Sequence, residues 1–259
     1  MSQVLAETFE DLDEFVENLV TEDDTPVDNI FSAKEQRLLT EILYSSWTPT
    51  IVEDNSTIPR AFFADANIGL YYSKYESAYV PDVLVSLDVS APRDLHAKRN
   101  RSYIVWEFGK MPELVVEIVS NKEGGELTTK LRDYARIGIQ YYIIHDPMRL
   151  LSDDVLRVYE PGLAGRYYLR NDYQLPNLEL GLMLWRGEFE GTESEWLRWI
   201  DKNGELLLTP DEKLTLQLQR AEHEAELRAQ ADERAAQAEE RALVLAEKLR
   251  AAGIDPNEI

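Results

Sequence analysis

"PELVVEIVSNK" (residues 112–122) decides how this chain is read. Val115, Val116, Ile118 and Val119 form the kind of run seen in a strand covered on both faces. Glu117 sits in the middle of it. A carboxylate taken out of water without partners costs several kcal/mol, or its pKa rises until it is neutral. The strand therefore calls for a compensating charge, unless Glu117 lies at a sheet edge or pairs with an arginine.

Working outward, "GGELTTKLRDYARIG" (124–138) has helical spacing. Leu127, Leu131 and Tyr134 or Ala135 make the inward stripe, and Gly138 suits the C-terminal cap. "QYYIIHDP" (140–147) reads as a short buried strand stopped by Asp146-Pro147. Strand, helix, strand in that order predicts a crossover onto a parallel neighbour within a mixed α/β sheet.

Upstream, "AFFADANIGLYYS" (61–73) and "AYVPDVLVSLDV" (78–89) are rich in β-branched and aromatic residues and predict strands. Before them, Ser32-Ala33-Lys34-Glu35 has the form of a capping box, with Leu38, Leu39, Ile42 and Leu43 as the apolar stripe behind it. Phe9, Leu12, Phe15 and Leu19 predict a short amphipathic helix in an acidic segment, residues 1–30. Residues 31–200 are expected to form one domain, which closes with a β-meander over 151–200. After Thr209-Pro210, glycine and proline vanish until Gly253, and 211–252 reads as a long helix. Ala231, Ala235, Ala238, Ala242, Leu245 and Leu249 follow a coiled-coil spacing. A single helix lying on its own domain fits the same alanine-rich pattern.

Composition narrows the chemistry. The 259 residues include no cysteine, which excludes disulfides, thiolate metal sites and Cys nucleophiles. The three histidines, His96, His145 and His223, stand far apart in sequence, so a His-based zinc site is not expected. No apolar run approaches the roughly 20 residues of a membrane span, and the acidic start lacks the basic opening of a secretory signal. A cytoplasmic protein without membrane contact is expected. The net charge of −22 opposes nucleic acid in sum but not in distribution. Residues 1–60 carry fourteen acidic and three basic side chains, whereas 61–150 carry twelve and eleven.

Two carboxylates now stand out, Asp82 at the head of "VLVSL" and Glu117. Pro81-Asp82 alone reads as a strand start. Glu126 and Lys130, four apart on the predicted helix, read alone as a surface pair worth a few tenths of a kcal/mol. Together, Asp82 and Glu117 on neighbouring strands suit a hard cation such as Mg²⁺, with Mn²⁺ as a substitute, which takes oxygen ligands and keeps several waters. A nearby lysine would orient or deprotonate a water, or stabilise charge on a phosphate. Phosphodiester hydrolysis requires these parts and neither Cys nor His.

The order of motifs, "VPDVLVSLDV" followed by "PELVVEIVSNKEGGELTTKLRDYARIGIQYYIIHDP", resembles the Uma-two (Uma2) family, which is well represented in cyanobacteria. The resemblance spans roughly residues 30–200, and the tail "LRAAGIDPNEI" resembles that of long members. It implies a restriction-endonuclease-like core of the PD-(D/E)XK superfamily, a mixed sheet flanked by helices, and metal-dependent endonuclease activity. Asp82 then matches the signature aspartate and Glu117 the second acidic residue. Val119 stands where the signature lysine is usual, so the lysine is displaced. Lys130 on the helix is favoured over Lys122 in the loop. Glu126, Lys122 and Ser120 are accessory candidates, and Glu35 or Glu41 on the first helix would add an acidic group. Arg93, Lys98, Arg99 and Arg101 form a basic loop that either contacts backbone phosphate or is merely solvated.

Three readings of function follow. One is a Mg²⁺-dependent endonuclease acting on nucleic acid, with DNA as the expected substrate, dimeric through its core or its C-terminal helix. Another is a nuclease-fold protein of weak or no activity that serves as an interaction or regulatory module through that helix. A small-molecule phosphoesterase is a third option on the same residues.

Overall fold

The computed structural model describes residues 14–17 and 29–252. They divide into two units, residues 1–209 and 210–259.

The first unit opens with α1 (Ile30–Ser46) and a hairpin of β1 (Thr50–Glu53) and β2 (Ser56–Pro59). Next come β3 (Phe62–Ala66), β4 (Leu70–Tyr71), β5 (Val83–Leu87), β6 (Tyr103–Ile104), the single turn α2 (Val105–Phe108), β7 (Leu114–Ile118), α3 (Thr129–Ile137) and β8 (Tyr141–His145). Five strands follow: β9 (Leu156–Pro161), β10 (Tyr167–Leu169), β11 (Gln174–Leu175), β12 (Leu180–Phe189) and β13 (Thr192–Asp201). In the second unit the described residues form α4 (Pro210–Ala251).

The central sheet has the order β10-β9-β8-β7-β5-β3. Only β7 and β8 are parallel, joined by the α3 crossover, and the remaining pairs are antiparallel. This is the mixed, helix-flanked α/β architecture of restriction-endonuclease-like proteins. Alternation along the strands sorts the core into two layers. Leu114, Val116, Ile118 and Ile143 pack on one face with Leu38, Leu39, Ile42 and Leu43 of α1 and with Trp196 and Trp199 of β13. Val115, Val119, Tyr142 and Ile144 pack on the other with Tyr134 of α3. All five residues of β7 are buried, which accounts for its near-continuous apolar sequence. Glu117 faces α3.

Two sequence expectations change. The start of α1 is capped by Asn29, whose Oδ1 accepts from the Ser32 amide at 2.9 Å, and not by the Ser32-to-Glu35 box. Ser32 and Glu35 lie inside the helix and are buried. Glu35 faces β13, where the Leu197 amide donates to its Oε1. The predicted 124–138 helix begins at Thr129, because Gly125 takes a left-handed φ of 74° and the chain turns there before coiling. Gly138 ends it with φ 90°, as expected.

Of the N-terminal amphipathic pattern, Phe9, Leu12 and Leu19 lie outside the described residues. Residues 14–17 are helical, with Val16 buried and the Phe15 ring 5.8 Å from that of Trp106.

Candidate active site

The site forms where β5 begins and β7 ends. Val83 pairs with Val116, so Asp82, one residue before β5, stands beside Glu117 across the strand pair. The Ile118 amide donates to Asp82 Oδ2 at 2.7 Å and ties the head of β5 to β7. Asp82 and Glu117 are both buried, at 7% and 2% exposure.

The compensation that the sequence of β7 demands comes from α3. Lys130 Nζ donates to Glu117 Oε2 at 2.7 Å, and the Tyr134 hydroxyl donates to Glu117 Oε1 at 2.7 Å. Positions 130 and 134 are one turn apart on the helix, so one face delivers both donors. Burial pushes the Glu117 carboxyl up to about 7, Lys130 draws it down, and neighbouring Asp82 works against that. Burial acts to lower the Lys130 ammonium, but Glu117, Glu126 and Asp82 outweigh it and hold the ammonium above its ordinary value.

Glu126 Oε1 lies 3.8 Å from Lys130 Nζ, while Glu126 Oε2 is buried without a hydrogen-bond partner. The turn beneath it is built from the two glycines. A Cβ on Gly124 would lie 1.9 Å from Glu126 Oε1. The carbonyl of Gly125 accepts from the Thr128 and Lys130 amides, both at 3.0 Å.

The remaining candidates fall elsewhere. Lys122 lies exposed in the loop after β7, and Ser120 is half-buried, accepting from Asn121 Nδ2 at 3.3 Å. Glu35 does not face the site: its Oε1 accepts the Leu197 amide of β13 at 3.0 Å. Glu41 is exposed on α1. In the basic loop, Arg99 lies 3.7 Å from Glu107, Arg101 donates to the His96 carbonyl at 3.0 Å, and Lys98 donates to the Glu17 carbonyl. One participant was not anticipated. Gln36 of α1 donates through Nε2 to Asp82 Oδ1 at 2.6 Å.

The donor set is all oxygen: the Asp82 and Glu117 carboxylates, with Glu126 beside them. Among the described residues no cluster of three or more His, Cys, Asp or Glu side chains converges as a metal cage. Two carboxylates completed by water are nevertheless the coordination Mg²⁺ accepts, and a carboxylate that burial disfavours as an anion gains from a cation beside it. The residues present fit a hard divalent ion.

The family Uma2, described as "Putative restriction endonuclease", matches residues 22–187. The chain belongs to the Uma2 family. No curated protein matches it. The Uma2 match covers Asp82, Glu117, Glu126 and Lys130 alike, so the family region and the charged cluster coincide. Among the described residues no helix is long and apolar enough to cross a membrane.

Proposed function

We propose that this Uma2 protein is a metal-dependent endonuclease that hydrolyses phosphodiester bonds in DNA, with Asp82 and Glu117 as the metal ligands and Lys130 as the third catalytic residue. The observation that carries this reading is the placement of Lys130 Nζ 2.7 Å from a fully buried Glu117 that stands beside Asp82. A structural ion pair alone gives little reason for a second buried carboxylate next to the first, since adjacent like charges repel.

When bound, Mg²⁺ or Mn²⁺ supplies an activated water and neutralises charge on the phosphate. The residues of the chain do the rest. Lys130, held protonated, stabilises negative charge gathering on the phosphate oxygens instead of removing a proton from water. The Tyr134 hydroxyl fixes the orientation of the Glu117 carboxylate. Asp82, tied to the Ile118 amide, keeps its carboxylate at the junction of the two strands.

The test is nicking of supercoiled plasmid by the purified protein with Mg²⁺ or Mn²⁺, alongside an Asp82→Ala, Glu117→Ala double variant. Cleavage by the parent and none by the variant is expected. Nicking that persists in the variant overturns the site, and no nicking under any condition favours the weakly active interaction module.

One feature favours an assembly role for the second unit. Leu214, Leu218, Leu227 and Leu245 of α4 are exposed, and the Ala231-to-Leu249 seam runs along the same helix. A dimer joined through α4 is the corresponding proposal. Deleting residues 211–259 should reduce the subunit count from two to one by light scattering; an unchanged count rules out a dimer joined through α4.

A further inference from the structure

Gln36 of α1 reaches the charged cluster, and it is not among the signature residues named above. Its Nε2 lies 2.6 Å from Asp82 Oδ1. A carboxylate oxygen only accepts, so chemistry fixes which end of the amide points inward. Asp82 is thereby gripped at both oxygens, by Gln36 on Oδ1 and by the Ile118 amide on Oδ2. Asp82 lies just outside β5, where its carbonyl accepts from the Asn67 amide at 3.1 Å; that bond holds the backbone and leaves the orientation of the carboxylate to side-chain and amide partners.

The grip is rigid because α1 is fixed along its length. Leu197 N–H donates to Glu35 Oε1 at 3.0 Å, Trp199 Nε1 donates to the Leu39 carbonyl at 2.9 Å, and the Tyr44 hydroxyl bonds the backbone of Ala64. Burial pushes the Glu35 carboxyl well above its usual range, with the Leu197 amide and Arg198 acting in the opposite sense. With Glu35 turned onto β13, the 100° step of the helix turns position 36 toward the end of the sheet.

We infer that Gln36 is a positioning residue that orients the Asp82 carboxylate for the cation, with the Glu35–Leu197 contact setting the rotation of α1 that makes this reach possible. The inference rests on the metal-site reading proposed above. Each carboxylate oxygen has two lone pairs, so accepting from Gln36 does not by itself prevent Oδ1 from ligating a metal. Hydrogen bonds of this kind to ligating carboxylates are worth roughly 10- to 100-fold in metal affinity.

Calorimetric titration of the full chain with MnCl₂, without nucleic acid, tests this. Four proteins are compared: parent, Asp82→Asn, Gln36→Met and Gln36→Glu. Methionine keeps side-chain length and helix propensity while removing the donor, and circular dichroism checks the fold of each. The expected result is binding by the parent, none by Asp82→Asn, and a dissociation constant raised roughly 10- to 100-fold in Gln36→Met with an unchanged melting temperature. Gln36→Glu, which loses the N–H donor, should also weaken binding. An unchanged affinity in Gln36→Met, with binding lost in Asp82→Asn, overturns the role of Gln36 and leaves the site standing. Tighter binding by Gln36→Glu overturns it too, because position 36 would then act as a ligand. Binding that survives in Asp82→Asn, or is absent in the parent, overturns the site reading on which the inference rests.

Discussion

Lys130 Nζ lies 2.7 Å from Glu117 Oε2, although the two residues belong to different elements thirteen positions apart. The ammonium is the principal cation facing this buried carboxylate. Replacing Lys130 with methionine should lower plasmid cleavage roughly 10²- to 10³-fold, the scale of removing one preorganised charge-stabilising donor. Adding Glu117→Gln to that variant should restore stability in urea, because a neutral amide needs no counterion, while cleavage falls further with the loss of a proposed metal ligand. A double variant less stable than Lys130→Met would show that the pair is not coupled.

Tyr134 makes the second bond to Glu117, and its ring is fully buried. Tyr134→Phe removes the hydroxyl and little else. The expected cost is about 2 kcal/mol in urea unfolding, typical of a hydrogen bond to a charged group. Cleavage should fall less than in Lys130→Met, since the ammonium remains in place.

The two glycines of the β7–α3 turn should fail in different ways. Gly125→Ala places a side chain at a φ of 74°, which costs about 1 to 2 kcal/mol of stability. Gly124→Ala forces the Glu126 carboxylate to move, because the new Cβ would sit 1.9 Å from its Oε1. The first variant should show a lowered urea midpoint with metal affinity retained. The second should shift Mn²⁺ affinity with a smaller change in midpoint. Identical behaviour of the two would remove the distinction.

His145 supplies a pH dependence separate from the metal ligands. It is fully buried on the α1 face of β8, with Nδ1 3.9 Å from Glu35 Oε2 and the Phe31 ring 6.1 Å away. Burial holds the imidazole down to about 4, with Asp146 acting in the opposite sense, against about 6.5 for a free imidazole. Burial likewise holds Glu35, the carboxyl facing it, well above its usual range. Between those two pH values the unfolded chain binds the extra proton. The stability contributed by neutral His145 is therefore complete above about pH 6.5 and is lost as pH falls toward 4, by about 3 kcal/mol at roughly 1.4 kcal/mol per pKa unit. Over that window the parent should lose about that much more stability than His145→Phe, as read from urea unfolding at several pH values. Parallel declines would assign the acid sensitivity to another group.

Local pattern carried the strand–helix–strand core around Glu117. An apolar run, an amphipathic stripe and a glycine cap each encode one element, and β7, α3 and β8 follow them. Asp82 was visible because proline-aspartate precedes an apolar strand, and Lys130 because the helix fixes its direction. Gln36 was not visible. Its partner lies 46 residues away, and the contact depends on the rotation of α1, which Asn29 and the Glu35–Leu197 bond establish. The apolar stripe of α1 gave the nearest hint, since Gln36 lies at its margin. The Tyr134 hydroxyl was hidden for a related reason: helical spacing places a tyrosine in the core but does not say what its oxygen meets.

Because the cation and the hydroxyl that steady Glu117 both ride on α3, the charged cluster exists only while that nine-residue helix is docked. A partly folded or newly made chain with α3 undocked holds two neighbouring carboxylates with neither donor, and the cheapest state of such a pair is to take up a proton. For a protein proposed to hydrolyse DNA, docking of α3 would then be a condition of cleavage, and a chain with α3 undocked would lack the proposed charge-stabilising donor.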